Sequence, residues 1–214
     1  QLFVDYQPKI CLRTDQAAGA ECLVRWSHPD RGVISPAQFI PLAESTGLIK
    51  PLSVWVIRQA LQDCRRWHDC GHDVSVAVNL SAPLLYDPEL FDTIDREMRS
   101  RRLPPGLLEF EITESTVMQD PERAMTTISR LRGLGVTFAL DDFGTGYSSL
   151  ASLKNLPVQC IKIDQSFVRD MITDERDASI VRAAIELGRN FELDVVAEGV
   201  ESQNVRELLT GLDC

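Results

Sequence analysis

The chain has 214 residues, 44% of them hydrophobic and 25% charged, with a formal net charge of −10. This is enough length and apolar content for one ordinary or slightly large globular domain, and it excludes a disordered segment or a fold that needs a disulfide framework. The acidic balance argues against broad attraction to a DNA or RNA backbone or to an anionic membrane, and no apolar run approaches a membrane span.

Strand-like runs alternate with helical patterns along the chain. Strands are expected near Phe3 to Leu12 and Gly19 to Trp26. Helices follow near Pro36 to Glu44 and Pro51 to Asp69. A strand near Val74 to Leu80, a helix near Pro88 to Arg101 and a strand near Leu107 to Thr113 come next. A helix near Pro121 to Leu134 leads to strands near Val136 to Leu140 and Cys160 to Ile163. The pattern closes with a helix near Ala178 to Phe191, a strand near Asp194 to Ala197 and a helix starting near Gln203. Proline opens several of the helices, where its missing N–H costs nothing. Gly47, Gly71, Gly135 and Gly188 fall at or near helix ends, as C-caps do. No repeat, low-complexity tract or linker interrupts the series, so residues 1–214 form one domain. Seven strands in series with helices between them predict an α/β fold with a mainly parallel sheet, of the (β/α) barrel kind.

The six cysteines include no C-x-x-C pair. Several lie in apolar strand-like runs, as small hydrophobes do, which fits a reducing, cytoplasmic setting. Cys64, His68, Cys70 and His72 have the residue types of a zinc site. They run across a predicted helix end at Gly71, however, and one face cannot present all four, so they read as side chains at a helix terminus. Residue 1 is Gln, not Met, and a piece of a longer protein is expected, the cytoplasmic part of a membrane-anchored one being one option.

Alternate residues of a strand face opposite sides. The valines of Val74–Asn79 share one face and Ser75, Ala77 and Asn79 the other. Leu108, Phe110 and Ile112 oppose Glu109, Glu111 and Thr113. Ile161 and Ile163 oppose Lys162. The apolar faces would meet helices, and the others would turn towards a barrel interior that becomes polar at its top.

In Val136–Leu150 an apolar run ends in Asp141 and Asp142, followed by a loop with Gly144 and Gly146. Taken alone, this fits either a metal site on a sheet rim or a solvated strand-to-loop turn. Its neighbours decide. Late in successive strands stand Glu21, Asn79, Glu111, Asp141 with Asp142, Lys162 and Glu198. Each has an ordinary explanation as a cap, an edge charge or an outward-reaching lysine. Together, one strand after another, they form a set of hard oxygen donors with one amine. Carboxylates and an Asn carbonyl suit Mg²⁺ or Mn²⁺ better than zinc. Two such ions roughly 4 Å apart, bridged by a shared carboxylate, stabilise both attacking and leaving oxygens of a phosphodiester. A lysine can steady the water or the phosphoryl oxygens.

Glu21-Cys-Leu-Val-Arg25 resembles the signature of the EAL domain family, with Cys22 where the family usually has Ala. In order, Tyr6-Gln-Pro8, Val78-Asn-Leu-Ser81, Glu111-Ile-Thr-Glu114, Asp141-Asp-Phe-Gly-Thr-Gly-Tyr-Ser-Ser149, Lys162-Ile-Asp164 and Ala197-Glu-Gly-Val-Glu201 also match, across essentially the whole chain. The resemblance implies a modified (β/α)₈ barrel with an antiparallel first strand that hydrolyses cyclic di-GMP to linear pGpG with Mg²⁺ or Mn²⁺. Carried over, Glu21, Asn79, Glu111 and Asp141 would hold one ion, Asp141 bridging to a second that Asp142 also serves. Lys162 would orient the water. Glu198 would be a general base or a second-metal ligand. Arg25 would contact a phosphate and Gln7 a guanine. Glu114 would steady the loop after Asp142, which the family ties to dimerisation and activation, and Glu201 would stand behind the site.

The resemblance also implies partners: a homodimer, and covalently linked sensor or cyclase domains outside this chain. Two departures stand out. Cys22 falls on the strand face opposite Glu21 and Arg25, so it is expected to pack against helices. The family's last strand and helix, and the helix before its first strand, are missing from this sequence. The alternatives to a hydrolase are a catalytically silent cyclic di-GMP receptor and an enolase-like proton abstraction on one Mg²⁺. The pair Asp141 and Asp142 favours two metals over one.

Overall fold

A computed structural model describes residues 1–146 and 150–214. In chain order its elements are β1 (Leu2–Cys11), β2 (Gln16–His28), β3 (Gly32–Ile34), α1 (Pro36–Ser45), α2 (Ile49–Asp69), β4 (Ser75–Asn79), α3 (Ala82–Leu85), α4 (Leu90–Arg101), β5 (Leu108–Thr113), α5 (Glu114–Met118), α6 (Pro121–Arg132), β6 (Thr137–Phe143), α7 (Leu150–Asn155), β7 (Cys160–Ile163), α8 (Gln165–Asp170), α9 (Glu175–Asn190), β8 (Asp194–Ala197) and α10 (Gln203–Gly211). The strands hydrogen-bond in the order β1-β2-β4-β5-β6-β7-β8, with β3 on β2. All seven strands expected from the sequence are present. β1 runs antiparallel to β2: Asp15 N–H closes the turn on the Cys11 carbonyl at 2.8 Å, and Ser27 N–H reaches the Gln1 carbonyl at 2.9 Å. β2 and β4, β6 and β7, and β7 and β8 pair in parallel. Among the described residues no strand follows β8, in keeping with the missing last strand.

The residues gather into two compact units. One comprises Gln1–Ile10, Ala17–Phe110 and Glu122–Thr137. Within it α2 buries Val56, Ile57, Ala60, Leu61 and Cys64 on one stripe, the spacing of a helix face, and packs on β4 and α4. Val76, Leu108 and Phe110 are fully buried, so the alternation read from the sequence places these faces against helices. Burying each such side chain contributes about 1.5–3 kcal/mol. Glu97 of α4 is buried beside α2 and is held by Arg58 Nε at 2.8 Å and by Arg101.

The suspected zinc residues separate here. The Cys64 thiol is fully buried and donates to the Val74 and Leu107 carbonyls, while His68 Nδ1 pairs with Asp73 at 2.6 Å. Burial pushes the Cys64 thiol up to about 11. Because the thiolate is the nucleophile, iodoacetamide at about pH 8 is expected to alkylate exposed Cys70 and spare Cys64 in the folded protein. Peptide mass spectrometry reads the outcome, and equal labelling of the two would contradict the packing described.

The second unit comprises Cys11–Gln16, Glu111–Pro121 and Phe138–Cys214. Ile163, Val168, Val181 and Leu209 centre its core, contributed by β7, α8, α9 and α10. Gly188 is not the C-cap expected from the sequence; it lies inside α9. A Cβ there would stand 2.3 Å from Val195 Cγ2, so glycine is required for α9 to lie against β8. Gly47, Gly71 and Gly135 do follow helix ends at positive φ.

Candidate active site

β7 is buried along its whole length, and its one charged residue, Lys162, is 2% exposed. A lysine so deep in a protein needs anions around it. Its Nζ lies 2.8 Å from Glu111 Oε2, 3.0 Å from Asp141 Oδ1 and 2.6 Å from Glu198 Oε1. Glu111 comes from β5, Asp141 from β6 and Glu198 from the residue after β8, so four positions on four consecutive strands converge on one point. Strand pleating explains the convergence: Ile161 and Ile163 take the other face of β7, and Phe110 and Ile112 the other face of β5, all fully buried. Lys162 therefore does not reach outward to solvent. The Glu198 N–H continues the β7–β8 pairing by donating to the Ile163 carbonyl at 3.1 Å, which fixes where its side chain starts.

Asp141 and Asp142 sit in a β-bulge. The β6–β7 register passes from Leu140↔Ile161 to Phe143↔Ile163, leaving one extra residue in β6. Asp142 takes it up with φ of 53° and donates its N–H to Asp141 Oδ1 at 3.0 Å. A bulge re-aims side chains that strict alternation would send to opposite faces. Lost hydration holds the Asp142 carboxyl above its usual range, and the charges of Asp141 and Asp164 add to the shift while Lys162 opposes it. Asp164 was not among the site residues read from the sequence. It caps α8, with Oδ1 accepting from Ser166 N at 2.9 Å, and the quoted motif Lys162-Ile-Asp164 carried the signal.

Around this cluster, a Cβ on Gly146 would lie 3.5 Å from Glu114 Oε2, so Glu114 borders the loop after Asp142. Tyr147, Ser148 and Ser149, the end of the loop motif, lie outside the described residues. Glu201 does not touch the lysine. It pairs with Arg169 Nη2 at 2.7 Å on an exposed surface.

In the first unit, Asn79 at the end of β4 donates its amide to Glu21 Oε1 of β2 at 2.9 Å. Arg25 Nε pairs with Asp5 Oδ2 at 3.1 Å, and Gln7 is exposed on β1. Cys22 lies on the other face of β2, 3% exposed. Burial pushes its thiol up to about 12, with the Tyr6 hydroxyl as a hydrogen-bond partner. Tyr6 in turn donates to Asp63 Oδ2 of α2 at 2.7 Å and meets Trp67 edge to face at 4.7 Å. Cys22 thus packs towards α2, as its strand position implied. Cys22→Ala is expected to leave kcat/KM for the proposed reaction within about twofold, since it removes a single sulfur atom from the strand face turned away from Glu21 and Arg25. Steady-state kinetics checks this, and a large rate loss would refute the face assignment.

The chain belongs to the EAL domain family, whose model matches residues 1–214. It is 44% identical over its whole length to the bifunctional diguanylate cyclase/cyclic di-GMP phosphodiesterase MucR of Pseudomonas aeruginosa, and 40% identical over 98% of its length to the signaling protein YkoW of Bacillus subtilis. It spans 31% and 26% of those two proteins. The solved c-di-GMP complex of the PaMucR phosphodiesterase is similar at a TM-score of 0.96 and 44% identity, over all of this chain and 87% of that one. The FimX EAL domain from Pseudomonas aeruginosa bound to c-di-GMP is similar at a TM-score of 0.90 and 29% identity, over 99% of this chain and 85% of that one. The fold is therefore the α/β barrel type expected from the sequence, without its last strand and helix. Among the described residues no helix is long and apolar enough to cross a membrane.

The family depends on divalent metal. Among the described residues no three His, Cys, Asp or Glu side chains stand at metal-ligand spacing. The chemistry of the donors nevertheless fits a hard cation. The carboxylates of Glu111, Asp141 and Glu198 converge within 3.0 Å of a single positive centre, and oxygen-only sets of this kind suit Mg²⁺ or Mn²⁺.

Proposed function

We propose that this chain is a phosphodiesterase domain that hydrolyses cyclic di-GMP to linear pGpG. The observation that carries the reading is the buried Lys162 ammonium, gripped by three carboxylates from three other strands. Such an arrangement is costly for stability alone and useful where a phosphoryl group gains charge. The motif match and the cyclic di-GMP phosphodiesterase activity of the relative MucR support the substrate.

Glu21, Asn79, Glu111 and Asp141 would hold one Mg²⁺ or Mn²⁺, with Asp141 and Asp142 serving a second. Bound there, the ions would polarise the phosphoryl oxygen and lower the pKa of water. Lys162 donates a hydrogen bond to the attacking water and then to the equatorial phosphoryl oxygens as their charge grows. Glu198, with its side chain 25% exposed, takes the water proton. The new phosphorus–oxygen bond forms as the bond to one ribose 3′ oxygen breaks, and that oxygen leaves with a proton taken from solvent water. Arg25 contacts the other phosphate, and Gln7 a guanine edge. Glu114 steadies the loop after Asp142, and Glu201 stands behind the site. We further propose that two copies pair through that loop and that linked sensor or cyclase domains set its activity, in the cytoplasm.

The test is incubation of purified protein with cyclic di-GMP, with Mg²⁺ or Mn²⁺ or with chelator, followed by chromatography. Metal-dependent pGpG supports the reading. Tight binding with an unchanged cyclic dinucleotide under every metal would replace it with a receptor.

A further inference from the structure

We propose that the Lys162 ammonium is a built-in counter-ion of the Glu111, Asp141 and Glu198 carboxylates that competes with the divalent cation for Glu111 and Asp141, and so sets the cation concentration at which the site loads. This rests on the hydrolase reading above and concerns how that site is regulated. At least three carboxylate oxygens lie 2.6–3.0 Å from the Nζ of this side chain, which is 2% exposed. Three carboxylates gathered at one point, Glu111 buried outright and Asp141 and Glu198 partly so, would repel one another and lose hydration at once without a positive charge. Lys162 removes that penalty in the cation-free protein, which lets the site keep its shape while empty. The same contact opposes loading. A cation sits about 2.1 Å from its oxygens, within a few ångströms of the ammonium, where two positive charges repel strongly in a poorly hydrated setting.

The lysine cannot relieve this by moving its backbone. β7 is paired on both sides, Lys162 standing opposite Val196, and its neighbours Ile161 and Ile163 are fully buried. Only the ammonium end can pivot, towards Glu198, whose side chain is 25% exposed while that of Glu111 is buried outright. The ammonium would thus leave Glu111 and Asp141 on loading and stay with Glu198, the partner that takes the water proton.

Calorimetric Mn²⁺ binding should be measured on the wild type and on Lys162→Met, Lys162→Gln and Lys162→Arg, with melting in chelator alongside. Lys162→Gln keeps hydrogen-bond donors without charge, and so remains informative if the Met variant fails to fold. Both neutral variants are expected to bind Mn²⁺ about tenfold or more tightly than the wild type, to melt lower in chelator, and to regain stability with Mn²⁺. Lys162→Arg should bind as the wild type does. Neutral variants that bind Mn²⁺ no more tightly, beside a wild type that converts cyclic di-GMP, would overturn the counter-ion role and leave the hydrolase standing. No Mn²⁺ binding by the wild type or any variant would overturn both.

Discussion

Glu21→Ala is expected to cut pGpG formation by about 10²–10³-fold or more, the scale of losing a principal charge-stabilising group, while leaving the fold intact. Glu21 is the first carboxylate of the family signature. It is partly exposed, and it accepts a 2.9 Å hydrogen bond from Asn79, itself exposed at the end of β4. Losing that contact should cost about 1 kcal/mol or less. The variant should therefore melt within a few degrees of the wild type and show the loss in kcat/KM. Turnover retained at near wild-type level would remove Glu21 from the proposed metal ligands.

Gly135→Ala should destabilise the fold that Glu21→Ala leaves untouched. Gly135 follows α6 with φ of 85°, a conformation that costs an L residue about 1–2 kcal/mol. A Cβ there would also stand 2.4 Å from Pro105 Cβ and 2.9 Å from its Cα. The ring cannot swing away as a flexible side chain would, and Gly135 is pinned by its carbonyl, which accepts from Gly106 N–H at 2.7 Å. Strain and clash together predict a loss of about 2–4 kcal/mol, roughly 5–15 °C in melting temperature for a chain of this size. Gly71→Ala is the control. It has the same φ of 85° with nothing within 4 Å of the added methyl, so it should lose only the conformational part. Equal losses for the two would mean that Pro105 gives way.

The strands were legible because each carries a run of apolar residues alternating with the chemistry of the site. Lys162 is the plainest case: two isoleucines flank it, so its face follows from pleating alone. What escaped the sequence was short or tertiary. β3 has three residues and exists only because Trp26, Ser27 and His28 pair with it. α3, α5, α7 and α8 have four to six residues, too few for a helical period to show. The starts of α5 and α8 rest on single caps, Thr113 and Asp164. The bulge at Asp141 and Asp142 was legible only as two adjacent acids. Asp tolerates positive φ better than most residues, but nothing in the sequence says that the chain inserts a residue there. Gly188 was misread as a helix end because a close approach to Val195 and a C-cap call for the same residue. The pairing of Glu201 with Arg169 likewise lay beyond any local pattern, because the turn at Gly199 runs against α8. A Cβ on Gly199 would lie 2.7 Å from Gln165 Cβ, a contact no local pattern records.

The most direct test of the central claim is the reaction of cyclic di-GMP with the protein and Mg²⁺ in ¹⁸O-labelled water, read by mass spectrometry of the nucleotides. Hydrolysis at the Lys162 cluster predicts pGpG carrying one heavy oxygen on its terminal phosphate, formed by the wild type and not by Glu111→Gln. An unchanged cyclic dinucleotide, or a linear product without the heavy oxygen, would contradict it.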